Sequence, residues 1–432
     1  MFKTIINAFK VKDIRKKILL TLLFLFIYRL GCWIPAVGLD HTKIIGTDGG
    51  FSIFDLMNMV SGGALSNMSV LALGVTPYIT ASIVIQLLTV AIPPLERLAR
   101  SGEDGRRKIN LYTRIAALVL ALAQSIGIVV GFKDCLDPNA LWTGAPTWLI
   151  GMGVVLILTA GGMFTVWLGE RITDLGIGNG VSLLIFVGIL SSASTAIFKA
   201  FSRVGQDLNY LWYIAMFVVA LIAIFALIVF VDGAERRVPV QYAKQIKGRK
   251  MYGGQSTYIP IRVNGSGVMP IILASTFITF PQLIISIFWP TATWYQEWLG
   301  TNSWLYIVLT ALLILLFSFF YSKITFDPAD ISKRIQQQGG FIPGIRAGRP
   351  TAEYLGKISG RITLFGAIFL AVIALIPSLV FKAVGDATAS DISTLVNAFS
   401  VTGLMIVVSV ALELDKQLEA QMLMRNYKGF LN

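Results

Sequence analysis

Ten long apolar segments, separated by gaps of very unequal charge, dominate this 432-residue sequence. Each is close to the about 20 residues that an α-helix needs to cross the hydrocarbon core of a bilayer. Charged residues make up 14% of the chain, well below the roughly 25% of a soluble domain. The pattern predicts an all-α, multi-pass membrane protein. The segments are 18–37, 68–92, 113–132, 148–168, 180–198, 211–231, 267–288, 303–322, 362–380 and 395–412.

The basic residues lie almost entirely on one side of these segments. Of the 36 Lys and Arg residues, 30 fall in the N-terminus, in the gaps after segments two, four, six and eight, and in the C-terminal tail, if Arg114, the second residue of segment three, is counted with the gap that precedes it. Five fall in the other gaps, and Arg29 lies within the first segment. Because basic loops stay on the cytoplasmic side of a membrane, we expect both termini to be cytoplasmic. The first segment is too long for a signal-peptide core, so we interpret it as an anchor.

The composition argues against an enzyme. The single histidine, His41, lies in an outer gap, and the spacing of Cys32 and Cys135 demands neither a disulfide nor a metal site. No paired carboxylates lie within an apolar segment. The glycine-rich stretch Gly176–Gly180 follows a membrane helix and lacks the P-loop lysine, so we interpret it as a tight turn between helices four and five. We therefore expect no catalytic residues, no metal and no cofactor.

One apolar piece, from Phe51 to Leu65, is too short to cross a bilayer and ends in Ser61-Gly62-Gly63. Backbone that enters a membrane without spanning it is tolerated only where protein buries it or water bathes it. The piece therefore indicates a re-entrant segment in a cavity open to the outside. A helix lying on the outer surface is the alternative, and the sequence leaves both open.

Prolines interrupt two segments at corresponding places. Pro77 lies in the second segment and Pro270 in the seventh. Interrupted helices in two five-helix halves are typical of an inverted repeat with a functional path at its interface, although two ordinary proline kinks explain the same residues.

Charge is scarce within the predicted helices, and Arg29 is the clear exception. A path between such helices would be lined by apolar side chains, which block ions by dewetting. A secondary transporter, the main alternative class, would place ionisable residues near the midplane, and we find no such site.

The cytoplasmic loop 232–266 is predicted to fold as a β-hairpin, because two alternating, β-branched stretches flank the turn-rich stretch Gly248–Gly254. Pro239 and Pro260 suit edge positions of a sheet. The tip carries Arg249 and Lys250, so we expect a basic projection.

The loop 323–361 is predicted to hold a short helix from about Asp330 to Gln338, a turn, and a second helix after Thr351 as its N-cap. The turn would project Arg346 and Arg349 into the cytosol. Structured basic projections suit RNA phosphates or an acidic protein surface, whereas the simpler interpretation is a solvated connector.

Short motifs along nearly the whole chain resemble those of the SecY family, the central subunits of the bacterial protein-conducting channel. Taken together, in this order and topology, they are highly specific. They are Ser61–Leu65, Pro77–Ile79 with Gln86–Thr89, Gly105–Lys108, Gln124–Gly127, Gly176–Gly180, Gln255–Thr257 and Pro343–Arg346.

The resemblance implies a clamshell of two pseudo-symmetric five-helix halves, with a lateral gate toward lipid. A cytoplasmic N-terminus, 1–17, precedes the first half, 18–200, which includes a plug at about 51–65. The second half, 201–412, carries both large loops, and a cytoplasmic tail, 413–432, follows. The implied function is passive conduction of unfolded secretory polypeptides across the bacterial plasma (inner) membrane, and of membrane segments laterally into it.

The resemblance also implies three groups of site residues. The pore ring would comprise Val75, Ile79, Val181, Ile185, Ile272 and Ile406. The plug would include Phe54, Asp55, Met57, Asn58, Ser61, Gly62 and Gly63. Docking of the SecA motor or the ribosome would use Arg249, Lys250, Arg346 and Arg349.

The same resemblance implies the partners. They are the SecE and SecG subunits, the SecA ATPase, the ribosome, signal peptides and unfolded preproteins, membrane lipids, and YidC and SecDF. Energy would come from SecA or the ribosome, since the sequence carries no nucleotide site.

Overall fold

The chain forms two compact units in a computed structural model. The first comprises Met1–Ile214, Thr279–Gly300 and Asp386–Asn432, and the second Ala215–Ile278 and Thr301–Gly385. The structure describes residues 8–39, 58, 61–131, 135–136, 146–204, 210–242, 245–247, 250–252, 256–265, 267, 269–288, 303–384 and 401–428.

Helices account for most of the described residues. They are α1 (Lys12–Gly31), α2 (Thr76–Ala91), α3 (Pro93–Arg100), α4 (Glu103–Gly131), α5 (Thr147–Leu175), α6 (Gly180–Val204), α7 (Tyr210–Gly233), α8 (Met269–Phe288), α9 (Trp304–Thr325), α10 (Pro328–Gln337), α11 (Arg349–Val384) and α12 (Val401–Lys428). The strands are β1 (Glu235–Tyr242), β2 (Gln245–Lys247), β3 (Lys250–Tyr252), β4 (Ser256–Arg262) and β5 (Gly340–Phe341).

Each of the ten predicted segments overlaps one of these helices. Within the described residues, four helices are individually long and apolar enough to cross a membrane. The pair α2 and α3, bent by 107°, would count as a fifth if it forms one span. The bend lies at Ile92, whose extended backbone precedes two prolines. A residue before proline disfavours the helical conformation, so the helix ends there and the chain turns.

Both predicted interruptions lie at the starts of helices. Pro77 and Pro270 both lie in the first turn of their helices, α2 and α8. A proline there breaks no backbone hydrogen bond, since the first N–H groups of a helix have no partner within it. Pro77 therefore begins α2 and does not interrupt a helix, so the prediction of an interrupted helix there was wrong. The described chain from Ser61 to Val75 consists of turns.

The first unit buries this turn-rich stretch instead of exposing it. Two hydrogen bonds join it to the chain after α1, from Ala36 N–H to the Met68 carbonyl at 2.8 Å and from Val70 N–H to the Ile34 carbonyl at 2.9 Å. Burial removes apolar area from contact with water or headgroups. The cluster that covers the stretch comprises Ala36, Leu39, Leu65, Met68, Ala72, Leu73, Ala121, Ile128, Ile150, Val154 and Leu158.

The predicted tight turn at Gly176–Gly180 is confirmed, because α5 ends at Leu175 and α6 begins at Gly180. Side-chain oxygens satisfy its backbone N–H groups. Ile177 donates to Thr21 Oγ1 at 3.2 Å, and Gly180 donates to Thr173 Oγ1 at 2.9 Å. The turn is thus held between α1 and α5.

The predicted hairpin in the loop 232–266 is also confirmed. Strands β1 and β4 pair antiparallel from Glu235 opposite Arg262 to Gln241 opposite Ser256, and β2 and β3 pair beyond them. Pro239 lies in β1, the middle strand of the order β4-β1-β5. Since β5 pairs only with the last two residues of β1, that side of Pro239 carries no strand, which is where a residue without an N–H is tolerated.

The loop 323–361 closes on the hairpin. Helix α10 begins at Pro328, and the Asp327 carboxylate caps it by accepting from Ala329 N–H at 2.9 Å. Helix α11 begins at Arg349, so the prediction of a start after Thr351 was wrong. The two loops share one apolar core in the second unit, formed by Val238, Val240, Ile261, Ile335, Ile342 and Leu355. We call this body, residues 235–262 and 326–355, the cytoplasmic module, after the side of the membrane that the sequence predicts for it.

Candidate functional site

The described end of the predicted plug is a closed loop. The Asn58 carbonyl accepts from Gly63 N–H at 2.8 Å and from the Ser61 hydroxyl at 3.1 Å. The Asn58 side-chain oxygen accepts from Ser66 N–H at 2.9 Å. These bonds tie both ends of the loop to one residue. The other predicted plug residues, Phe54, Asp55 and Met57, lie outside the described residues.

Helix α1 holds this loop through one face. The Arg29 guanidinium donates to the Gly62 carbonyl at 2.8 Å, a short and charge-assisted hydrogen bond. Tyr28 and Cys32, on either side of Arg29, both donate to the Ser61 carbonyl, at 3.4 Å and 3.8 Å. Two donors in the last turn of α1, and a third at the residue that caps this helix, therefore meet two consecutive carbonyls. We call this set of contacts the α1 clasp.

Gly62 fits where a larger residue would not. Its φ of +71° lies in the left-handed region, and a Cβ there would lie 2.8 Å from Gly188 Cα in α6 and 2.8 Å from Arg29 Nη1. Both approaches are closer than real Cβ atoms make. Gly63 also has a left-handed φ, of +86°, but a Cβ there would meet only Ser66 Oγ, at 3.9 Å. At Gly62, and not at Gly63, the chain therefore lies too close to α1 and α6 to admit a side chain.

The six predicted ring residues are all apolar and lie in two different units. Val75, Ile79, Val181, Ile185 and Ile406 belong to the first unit, and Ile272 belongs to the second. Val75, Ile185 and Ile406 are buried, whereas Ile79, Val181 and Ile272 are half-buried. Their assignment to a ring stays a prediction.

The predicted docking arginines lie on the cytoplasmic module. Arg346 is exposed, and its carbonyl accepts from the Thr351 hydroxyl at 2.8 Å. The Ser332 hydroxyl donates to the Gly348 carbonyl at 2.6 Å. The backbone at Arg346 and just after it is therefore held in place, while its side chain is exposed. Gly344, at φ +83°, supplies the left-handed residue of the preceding turn.

The other docking residues differ from Arg346. Arg349 forms an exposed ion pair with Glu353 at 3.2 Å, so part of its charge is already matched. Lys250 lies in β3, opposite Lys247 in the register of the tip, and Arg249 lies outside the described residues.

Sequence reasoning missed an ion pair between two membrane helices. Arg114 of α4 and Glu170 of α5 form two parallel bonds, Nε to Oε1 at 2.7 Å and Nη2 to Oε2 at 2.8 Å. This geometry is the strongest that an Arg and a carboxylate adopt. Opposite charges near the predicted cytoplasmic ends of neighbouring segments were the available signal.

A second contact that sequence reasoning missed joins the two strands of the hairpin, β1 and β4. The Arg237 guanidinium lies 4.7 Å from the centre of the Tyr258 ring, in a cation–π contact across β1 and β4. Arg237 also donates to Glu235 at 2.8 Å. This hydrogen bond raises the pKa of Arg237 above its usual value, so the positive charge persists at any physiological pH.

Comparisons of the chain with a family model, with curated relatives and with solved structures agree with one another. The SecY family model matches residues 69–414. The protein translocase subunit SecY of Streptomyces scabiei is 41% identical over 447 aligned positions, covering 100% of both chains. A solved structure of a protein-conducting channel has a TM-score of 0.67 at 17% identity, covering 94% of this chain and 92% of the other. Sec61 in the canine ribosome-channel complex has a TM-score of 0.63, also at 17% identity, with the same coverage of 94% and 92%.

Proposed function

Because this chain belongs to the SecY family of protein translocase subunits, we propose that it forms the path for unfolded secretory polypeptides across the bacterial plasma membrane. Membrane segments of its clients leave the same path sideways into lipid. The family is one of translocase subunits and not of enzymes, so the chain supplies the conduit and other proteins supply the energy.

The observation that carries this proposal is the buried, non-spanning stretch from Ser61 to Val75. Such backbone at membrane depth requires either protein cover or water. Here α1 donates to its carbonyls, and residues of α4 and α5 cover its apolar side chains. A segment held in this way supports a plug at about 51–65 that closes a cavity from the outer side.

The apolar ring supports a seal at the waist of that cavity. Val75, Ile79, Val181, Ile185, Ile272 and Ile406 carry no ligand for a dehydrated cation, so a constriction lined by them would block ions by dewetting. The proposal places the ring between the two predicted halves, 18–200 and 201–412. Apolar walls also suit cargo of varied sequence, since they demand no particular polar group.

The cytoplasmic module supports docking of a translocation motor. Its exposed arginines and basic tip present donors for carboxylates or phosphates. The solved structure of Sec61 comes from a ribosome-channel complex, and we propose that this chain meets the ribosome and the SecA ATPase through the same module. SecE and SecG are the proposed companion subunits, signal peptides and membrane lipids meet the chain at the lateral gate, and YidC and SecDF are further partners.

The basic asymmetry supports the orientation. With 30 of the 36 basic residues on one side of the ten segments, both termini and both large loops face the cytoplasm.

Reconstitution tests the function directly. The chain, assembled with a SecE-type subunit in proteoliposomes, should translocate a secretory precursor when SecA and ATP are added. Omission of ATP is the control. Failure to translocate, together with uptake of a small solute driven by an ion gradient, would favour the secondary transporter instead.

A further inference from the structure

Arg29 is a charged residue within the first predicted membrane segment, in the last turn of α1, and the family resemblance gives it no role. A charge within a membrane segment is costly unless it is paired or solvated. Arg29 is half-buried, and its guanidinium donates to the Gly62 carbonyl at 2.8 Å and also contacts the Cys32 thiol. The charge is therefore committed to a backbone atom of the turn that follows the proposed plug.

We propose that Arg29 is the positioning residue that anchors the C-terminal end of the plug, and that Gly62 is the site on which it acts. The inference rests on the proposed function, since it takes the segment 51–65 as the plug. The anchor fixes the backbone from Asn58 to Met68 on α1.

Several contacts make the anchored turn a rigid unit. Asn58 closes the loop onto Gly63 and Ser66, as described above. Beyond the loop, Met68 is 1% exposed, and its carbonyl accepts from Ala36 N–H at 2.8 Å. The unit is thus fastened to α1 through Arg29 and to the chain after α1 through Met68.

An arginine suits this anchor better than a lysine would. A guanidinium presents donors in a rigid fork and is more weakly hydrated than an ammonium, so less hydration is lost when it lies within the protein. Tyr28 and Cys32 contribute weaker bonds to the neighbouring carbonyl. Removal of Arg29 would leave the Gly62 carbonyl without its charged donor.

A native cysteine, Cys32, can report whether the anchored turn stays in place. Cys32 is 1% exposed, and its Sγ lies 3.8 Å from the Ser61 carbonyl, under the anchored turn. The sequence holds two cysteines, so Cys135→Ser leaves Cys32 as the one thiol. If the turn lifts, a membrane-impermeant thiol reagent added on the outer side gains access to Cys32.

The experiment compares labelling rates of Cys32 in the assembled channel carrying Cys135→Ser. We expect Arg29→Met to raise the rate by about tenfold or more, since a hydrogen bond from a charged donor biases an opening equilibrium by that factor. Arg29→Lys should give an intermediate rate. Arg107→Met, which removes an exposed arginine elsewhere, should leave the rate unchanged and controls for loss of charge.

A glycine pair provides a second test that leaves Arg29 in place. Gly62→Ala should raise Cys32 labelling, because the new Cβ would collide with Arg29 and with Gly188 of α6. Gly63→Ala is the matched control, since it places the same residue at a similar positive φ but in open space. This comparison remains informative if Arg29→Met fails to assemble.

The outcomes separate the anchor from the plug. If Cys32 in both Arg29→Met and Gly62→Ala is labelled as slowly as in the parent channel, the anchor is overturned. An equal increase of the Cys32 labelling rate in Gly62→Ala and Gly63→Ala would also overturn the anchor, since backbone strain alone would then explain the effect. The plug itself is judged by resting ion conductance after deletion of residues 55–64, a measurement that does not depend on Cys32.

Discussion

Gln241 of β1 and Phe341 of β5 lie directly opposite each other in antiparallel register, although they belong to different loops between predicted membrane segments. This pairing, with the shared core around Val240 and Leu355, makes one module of two loops. Arg346 lies five residues beyond Phe341 in the chain. The position of Arg346, the proposed docking residue, is thus set by a sheet whose other strands come from the preceding loop.

A cross-link should detect this register. Opposite residues of an antiparallel pair have Cβ atoms about 4.5–5.5 Å apart, so Gln241→Cys with Phe341→Cys should join rapidly under mild oxidation or with a short bifunctional reagent. Gel mobility after protease cleavage between the loops measures the yield. The control pair, Arg237→Cys with Phe341→Cys, places the thiols about 13 Å apart on the same strand face and should not join. Equal yields from the two pairs would contradict the register.

Arg346→Glu should reduce precursor translocation by about tenfold or more, because a charged hydrogen bond to the partner is lost and a repulsive charge replaces it. Arg346→Lys should restore part of the activity, since it keeps the charge without the planar fork. Lys333→Glu, a charge reversal at an exposed residue of α10, is the matched control. Membrane insertion and assembly with the SecE-type subunit should be unaffected. Normal translocation by Arg346→Glu would make this turn a solvated connector.

The basic tip should contribute through long-range charge. Neutralising Arg249 and Lys250 to Gln should weaken binding of the ribosome or SecA at low salt and have a smaller effect at high salt, because salt screens exposed charges. Sedimentation or fluorescence binding to vesicles at a series of salt concentrations measures this. An effect of the same size at every ionic strength would point to a specific contact instead.

The seal should depend on apolar side chains at the proposed ring. Ile79→Ser with Ile272→Ser, or deletion of residues 55–64, should raise resting ion conductance several-fold, since water enters a constriction once it becomes polar. Planar-bilayer recordings provide the measurement. Ile126→Ser is the control, because Ile126 is an exposed residue of α4. If neither change alters conductance, the ring and plug assignments both fail.

The orientation should appear in labelling from each side of the membrane. In a background with both native cysteines replaced by Ser, Lys250→Cys, Arg346→Cys and Arg425→Cys should react with an impermeant reagent only from the cytoplasmic side. Lys133→Cys, in a gap predicted to face outward, is the reference for external labelling. Reaction of any of the first three in intact cells would contradict the topology.

The membrane helices were predictable because their signal is local. Hydropathy over about 20 residues and helical hydrogen bonds within four residues lie in each segment by itself, so each of the ten segments overlaps a helix. The hairpin of β1 and β4 and the turn at Gly176–Gly180 also followed from nearby residues. Helix ends were less exact, as at Arg349, where the start depends on the turn stabilised by Ser332 and Thr351.

The sequence by itself determined the class of fold and the family to which the chain belongs, since composition, periodicity and motifs are properties of short stretches. The tertiary structure alone decided which carbonyl meets Arg29, why Gly62 and not Gly63 admits no side chain, and that β5 completes the sheet of another loop. These outcomes depend on distant segments meeting in space. Met68 shows the same dependence, because its left-handed φ of 45°, rare for a residue with a side chain, occurs where long-range bonds and burial outweigh local preference.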